Sequence, residues 1–394
     1  VALFGKAPLK VLMNSPRKAL HIAMVAGEAS GDLLAALLIP SLQKQWPGVQ
    51  LQGIGGPRMN ALGFDAWWPE HKLAVRGYVE VLKHYREIVG IRRDLKQRLL
   101  KHPPDLFIGV DAPDFNLDLA KDLRQQGIPS IQFVCPSVWA WRPERLKKIR
   151  DSVDHVLCLF PFEPALLAQH GIEATFVGHP IAQTIPDQVD TAHARHQLGL
   201  PHSALVLTLM PGSRLSEIAQ LAPVFLQAAA LLQQKHPDMH FVLPVAPGLM
   251  PSVQAHQAQS SLKNLHLLDG QSHVAMAAAD LILVASGTAT LEAALFKRPM
   301  VIAYKMPWLS WQITNRKRLQ AWVGLPNILC QDFVVPELLQ EAATPQSLAC
   351  ALQQWLDHPD QVDHLQQRFQ SLHQLLKQDM STLACHAIEK ILAR

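Results

Sequence analysis

Short, almost continuously apolar runs that alternate with helical patterns limit most severely what this chain can fold into. Residues 20–26 (LHIAMVA), 49–54, 106–110, 130–134, 155–160 and 174–177 are such runs, each bounded by Gly, Pro or Asp. Helical periodicity, clearest over 33–45, fills most of the intervals. A strand wetted on one face would alternate apolar and polar residues. A run apolar throughout is buried on both faces, which means a parallel sheet covered by helices on either side. The pattern restarts at 204–210, with a helix over 218–234 and further runs at 240–244, 265–268, 281–284 and 300–304. Between the two series, 180–202 is polar and charged, so a domain boundary is expected there. Residues 346–394 read as helices without a strand.

The expected fold is therefore α/β, with two Rossmann-like, doubly wound domains facing a cleft and a C-terminal helical segment. At 394 residues the chain exceeds one ordinary core. The domains are placed at 21–185 and 186–345, with the helical segment at 346–394. Residues 1–20 mix apolar and basic side chains without a signal-peptide core or cleavage site. They read as a leader or extension, poorly ordered, with Met13 as a candidate start.

A formal charge of +4 is small for this length and excludes a general nucleic-acid binder. Cys135, Cys158, Cys330, Cys350 and Cys385 are odd in number and scattered, as expected of reduced thiols in the cytoplasm and not of a disulfide framework or a zinc site. The histidines show no HExxH spacing, and no metal is expected. No uninterrupted apolar run reaches the roughly eighteen residues of a membrane span.

In doubly wound sheets, ligands bind beyond the carboxyl ends of the strands, so the loops that follow strands carry the chemistry. Glu28 and Ser30 lie in the turn 27–32 (GEASGD), and a second glycine-rich turn, 53–58, follows the next run. Neither has dinucleotide spacing, and each alone reads as a tight turn. In 109–116 (GVDAPDFN), Asp114 suits a helix cap and Asp111, at the strand end, is the better general base. Gly212, Ser213 and Arg214 follow a strand and precede a helix. There, backbone amides and a guanidinium fork can cradle a diphosphate. Ser286, Gly287, Thr288, Ala289 and Thr290 repeat that arrangement, and Glu292 one turn on can accept both ribose hydroxyls. The alternative is Thr288 as a cap and Glu292 on a solvent face. Two such loops in one half point instead to a nucleoside diphosphate.

Residues 73–98 interleave Tyr78, Val79, Val81, Leu82 and Tyr85 with Arg86, Arg92 and Arg93. A basic amphipathic helix of this kind can lie in an anionic membrane interface, or it can be an ordinary core helix. A second aromatic-basic mixture spans 308–319.

The ordered set GEASGD (27–32), GPRM (56–59), DAPDFN (111–116), PSVWAWR (136–142), PFE (161–163), GHP (178–180), PGSR (211–214), SGTA (286–289) and LPN (325–327) resembles the lipid A disaccharide synthase family of Gram-negative bacteria. The resemblance runs from about residue 20 to near the C-terminus. It departs at Arg76, where the family carries a hydrophobic residue or Met, and before residue 20, where it has no counterpart. It implies an inverting glycosyltransferase of the GT-B type that needs no cofactor and no metal. The implied donor is UDP-2,3-diacylglucosamine and the acceptor 2,3-diacylglucosamine 1-phosphate. The product is the β(1→6) disaccharide 1-phosphate, with UDP released. It further implies Asp111 as base, and UDP-sugar held by 212–214, 286–290, Glu292 and Asn327. Glu28, Ser30, Asn116 and Arg142 would position sugar or acceptor. The enzyme would sit peripherally on the cytoplasmic face of the inner membrane, as a homodimer exchanging its C-terminal segment. Rivals are another UDP-sugar enzyme of this type, such as the peptidoglycan N-acetylglucosaminyl transferase or a UDP-N-acetylglucosamine 2-epimerase, and a non-catalytic nucleotide-sugar sensor.

Overall fold

The computed structural model describes residues 19–73, 78–140, 142–306, 311–312 and 319–394, with backbone alone for 78–85. The run HIAMVA forms β1 (His21–Ala26), whose last five residues are essentially inaccessible, as a strand covered on both faces requires. In chain order there follow α1 (Ala29–Gln45), β2 (Gln50–Gly55), α2 (Pro57–Asn60), β3 (Asp65–Pro69), α3 (Tyr78–Lys101), β4 (Leu106–Val110), α4 (Pro113–Arg124), β5 (Ser130–Phe133), α5 (Arg145–Ser152), β6 (His155–Cys158), α6 (Glu163–Ala168) and β7 (Ala174–Phe176). These strands form one sheet in the order β3-β2-β1-β4-β5-β6-β7.

The second series is α7 (Pro180–Thr184), α8 (Thr191–Gln197), β8 (Val206–Met210), α9 (Leu215–Lys235), β9 (His240–Val245), α10 (Met250–Gln257), β10 (Leu265–Asp269), α11 (Ser272–Ala278), β11 (Leu281–Ala285), α12 (Thr288–Leu295), β12 (Met300–Tyr304), a short helix Leu325–Cys330 and β13 (Glu337–Leu339). Its sheet runs β10-β9-β8-β11-β12-β13, all parallel. Each order reverses direction once, between β1 and β4 and between β8 and β11. These are the topological switch points at which such sheets bind ligands. Helices Pro345–Asp357, Pro359–Leu376 and Met380–Leu392 end the chain.

The α/β, doubly wound architecture with C-terminal helices is as expected. The edge strands β3 and β13 were not foreseen. Both are half-buried and mixed in polarity, so they lack the apolar signature of central strands.

The chain divides into two compact units. One contains residues up to Val134, Ile149–Leu157 and Ala384–Arg394; the other contains Cys135–Lys148 and Cys158–Leu383. This division differs from the linear boundary at 185/186. Residues 158–185 group with the second unit and 384–394 with the first. The polar stretch 180–202 is folded: Arg195 is buried, with Nη2 2.7 Å from Asp280 and Nε donating to the Ala278 carbonyl. Its charge therefore marks an internal ion pair and not a linker.

α9 is, by length and composition, the one described helix apolar enough to cross a membrane. Its residues Ile218, Leu221, Phe225 and Leu232 are buried in the second unit's core, which accounts for that composition. In α3, Ile91, Leu95 and Leu99 recur every four residues and are buried, so this half of the helix is a core helix. Residues 1–18 of the expected leader, and most of 308–319, lie outside the described residues.

Candidate functional site

In the second unit, β8 and β11 pair with Met210 opposite Val284, so the loops after them open side by side at the switch point. Together with the end of β9 they enclose a cavity of about 550 Å³. Gly212, Ser213, Arg214, Ser286, Gly287, Thr288, Ala289 and Glu292 all line it. The Thr290 amide in the first turn of α12 donates to the Gly287 carbonyl at 3.1 Å, and the helix's N-terminal dipole favours an anion at this end.

The 212–214 loop departs from the simple cradle expected of it. The Ser213 and Arg214 amides donate to Glu217 Oε2 at 2.9 and 3.2 Å, and Arg214 Nη1 lies 3.0 Å from Glu217 Oε1. Glu217, which also lines the cavity, thus caps α9 and holds the loop against it. Gly212 is required here: its φ is +127°, and a Cβ would fall 2.5 Å from Glu217. Two other expected binders turn inward. Thr290 is buried, with Oγ1 donating to the Gly287 carbonyl at 2.7 Å. Asn327 is fully buried and does not line the cavity. Its Nδ2 donates to Val335 O and Glu337, and its Oδ1 accepts from the Val334 and Val335 amides. Asn327 fixes a turn because every polar atom of its amide is engaged.

Two histidines interact with Glu292: His179, from the GHP motif, and His273, which sequence reasoning missed. His273 Nε2 lies 3.3 Å from its carboxylate. The hydrogen bond and charge of Glu292 raise the His273 pKa above the usual imidazole value, against partial burial. His179 is pushed down to about 4 by burial, with Glu292 opposing the shift, so it stays neutral. Its ring stacks on Phe160.

In the first unit, Ala26 of β1 is registered with Val110 of β4, and the loops carrying Glu28 and Asp111 follow directly. They approach so closely that a Cβ on Gly27 would lie 2.7 Å from Ala112 Cβ. Asp111 and Ala112 both take left-handed backbone, φ 53° and 40°, a conformation that costs roughly 1–2 kcal/mol per residue. Buried amides hold it: Asn116 Nδ2 and Gln132 Nε2 donate to the Asp111 carbonyl at 2.8 and 2.9 Å. Asn116 was expected to touch sugar or acceptor. It is wholly inaccessible and shapes the Asp111 turn instead. Burial, and then the charge of Glu28, raise the Asp111 pKa above the usual carboxylate value, which strengthens it as a base.

The expected cap assignment moves as well. The N-cap position of α4 is Ala112, and Asp114 lies in the first turn. The cap-like carboxylate is Asp32, which accepts from the amides of Gly56, Arg58 and Met59 at 2.9–3.1 Å and ties the two glycine-rich turns together. Ser30 is exposed. Arg142 is half-buried and groups with the second unit, its carbonyl accepting from the Arg145 amide.

Of the expected membrane residues, the side chains of Tyr78, Val79, Val81, Leu82 and Tyr85 lie outside the described residues. Arg86 is exposed. Arg92 is 2.6 Å from Asp118, and Arg93 is 3.2 Å from Asp94. Arg92 is thus committed to a neighbouring helix.

Cys135 and Cys158, distant in sequence, meet in the second unit beside Glu163, with possible ligand atoms within 4.8 Å of one another. Burial pushes Glu163 up to about 7, while the Phe160 amide and Trp139 Nε1, each at 3.0 Å, hold it down. Both carboxylate oxygens are already accepting hydrogen bonds, and Cys135 Sγ donates to the Pro136 carbonyl.

A family model described as lipid-A-disaccharide synthetase matches residues 22–391. The lipid-A-disaccharide synthase of Albidiferax ferrireducens is 59% identical over 388 residues, covering 97% of this chain and 100% of the relative. That of Burkholderia thailandensis is 53% identical over 379 residues, covering 95% and 97%. Among solved structures, the UDP-GlcNAc 2-epimerase of Neisseria meningitidis bound to UDP-GlcNAc superposes with a TM-score of 0.61 at 12% identity, covering 95% of this chain and 100% of that one. Acinetobacter baumannii MurG gives 0.52 at 17%, covering 91% and 99%. At such identities the likeness is one of fold.

Proposed function

This chain belongs to the lipid-A-disaccharide synthetase family, and on that premise we propose how its residues divide the work of joining UDP-2,3-diacylglucosamine to 2,3-diacylglucosamine 1-phosphate. The 6-hydroxyl oxygen of the acceptor bonds to the anomeric carbon of the donor as the bond to UDP breaks. The hydroxyl proton passes to the Asp111 carboxylate, and the sugar is inverted. UDP leaves with its negative charge facing the start of α12 and the Arg214 guanidinium, which favour the departing diphosphate over the bound sugar ester. Glu292 accepts the ribose hydroxyls, and Glu28 keeps Asp111 basic.

The observation that carries this reading is the second unit's cavity at its switch point. It combines a helix N-terminus, a guanidinium and a ring of small residues with a carboxylate one helical turn away. That set fits a nucleoside diphosphate. The relatives above half identity are named as the synthase, whereas the epimerase and MurG share only the fold.

Work at the cytoplasmic face of the inner membrane completes the proposal, with the apolar and basic residues at 78–86 touching lipid. A homodimer that exchanges its C-terminal segment belongs to the same proposal; within that segment Leu348, Leu352, Phe369 and Leu376 form part of the second unit's core.

The test incubates purified protein with both substrates in detergent micelles and looks for disaccharide. Absence of product would sink the assignment, and consumption of UDP-sugar without acceptor would mark an epimerase. Asp111→Ala should slow turnover by about 10²–10⁴-fold while UDP still binds. A near-normal rate would remove Asp111 as the base.

A further inference from the structure

We propose that His273 is a positioning residue for nucleotide recognition, holding Glu292 in the orientation that accepts a ribose cis-diol. The inference rests on the reading that the second unit's cavity takes UDP, and it concerns a residue outside the ordered motifs.

The geometry is a clamp. Glu292 and Phe296 are one turn apart on the same face of α12 and its C-cap. His273, in the first turn of α11, reaches both of them. Its Nε2 is 3.3 Å from Glu292, and its ring meets the Phe296 ring edge-on at 5.4 Å and 67°. Phe296 is buried, so the imidazole rests against a fixed wall. Ser272, the neighbour of His273, lines the cavity together with Glu292. The carboxylate therefore has one side toward His273 and another toward the cavity.

A carboxylate offers about four lone-pair directions. One donor from His273 leaves enough for two ribose hydroxyls while removing the rotational freedom of the group. Without that donor Glu292 can turn toward water or the cavity's own amides, and the diol must order it on binding. Ordering that side chain on binding weakens the affinity for the diol. His179, which feels the charge of Glu292, is buried and neutral and offers no competing charge.

A purely structural role for His273 would weaken every nucleotide equally. A role through Glu292 acts only where both ribose hydroxyls are present. The test therefore measures equilibrium binding of UDP and of 2′-deoxy-UDP to the full chain, as wild type, His273→Leu and His273→Gln. Glutamine places an amide N–H near the position of Nε2 and serves as the conservative rescue.

The expected result is a wild-type preference for UDP that falls by about five- to tenfold in His273→Leu, the scale of one net hydrogen bond. Binding of 2′-deoxy-UDP should hardly change, and His273→Gln should recover most of the preference. Equal weakening of both nucleotides in His273→Leu, or an undiminished preference, overturns the role of His273 while leaving the UDP site standing. A wild type that binds neither nucleotide overturns the site itself, and the inference with it.

Discussion

At the scale of single residues, the buried Glu163 has a consequence for stability. Its folded pKa of about 7 lies above the 4.5 of an ordinary glutamate. The folded state therefore binds the proton more tightly than the unfolded one, and this contribution is fully present below pH 4.5. It is lost as pH rises to 7 and amounts to about 3 kcal/mol across that window. Glu163→Gln, neutral throughout, should show a flatter decline in urea stability between pH 5 and pH 7.5 than the wild type. Parallel declines would contradict the shift. Residues of this kind mark the limit of what sequence could reveal. Asp111, Arg214 and Glu292 were legible because each lies in or just beyond a loop that follows an apolar strand. Glu217 was overlooked because the N-cap of α9 is Arg214, a side chain with no acceptor, so its three-residue spacing gives no capping-box signal. His273, Gln132 and Cys135 gain their meaning from partners 19 or more positions away, which no local pattern announces.

Among the elements, α3 shows two characters along one helix. Its C-terminal half packs Ile91, Leu95 and Leu99 inward, while Arg92 and Lys96 pair with Asp118 and Asp122 of α4 at 2.6 and 2.8 Å. These pairs are partly exposed and contribute at most about 1 kcal/mol each. The mixture of apolar and basic residues is thus explained over 91–99 without a membrane. The lipid proposal then concentrates on 78–86, where the apolar residues are densest. Replacing Val79, Val81 and Leu82 together by serine should lower co-sedimentation with anionic vesicles by at least about tenfold, since each apolar side chain contributes roughly 1.5–3 kcal/mol when withdrawn from water. Unchanged partition would make α3 a core helix along its whole length. Sequence could not separate these halves, because the apolar stripe has the same period whether it faces protein or lipid.

For the whole molecule, the order of the chain and the composition of its two units do not coincide. Linear reading placed the domains end to end, since a polar stretch at 180–202 looks like a linker until Arg195 is seen paired inside it. The last eleven residues instead join the first unit, where Ala384, Ala387, Ile388 and Ile391 are buried. A chain ending at Leu383 should lose several kcal/mol from that unit, given roughly 1.5–3 kcal/mol per buried isoleucine. Hydrogen exchange should then rise in β1 and β4 while β8 and β11 keep their protection; uniform change, or none, would contradict the division. The same arrangement sets a timetable for biosynthesis. The first sheet's strands leave the ribosome early, but the helix that completes their unit is translated about 270 residues after β4. Throughout that interval the newborn protein carries an unfinished apolar surface, so the synthesis of that helix governs how long it depends on chaperones.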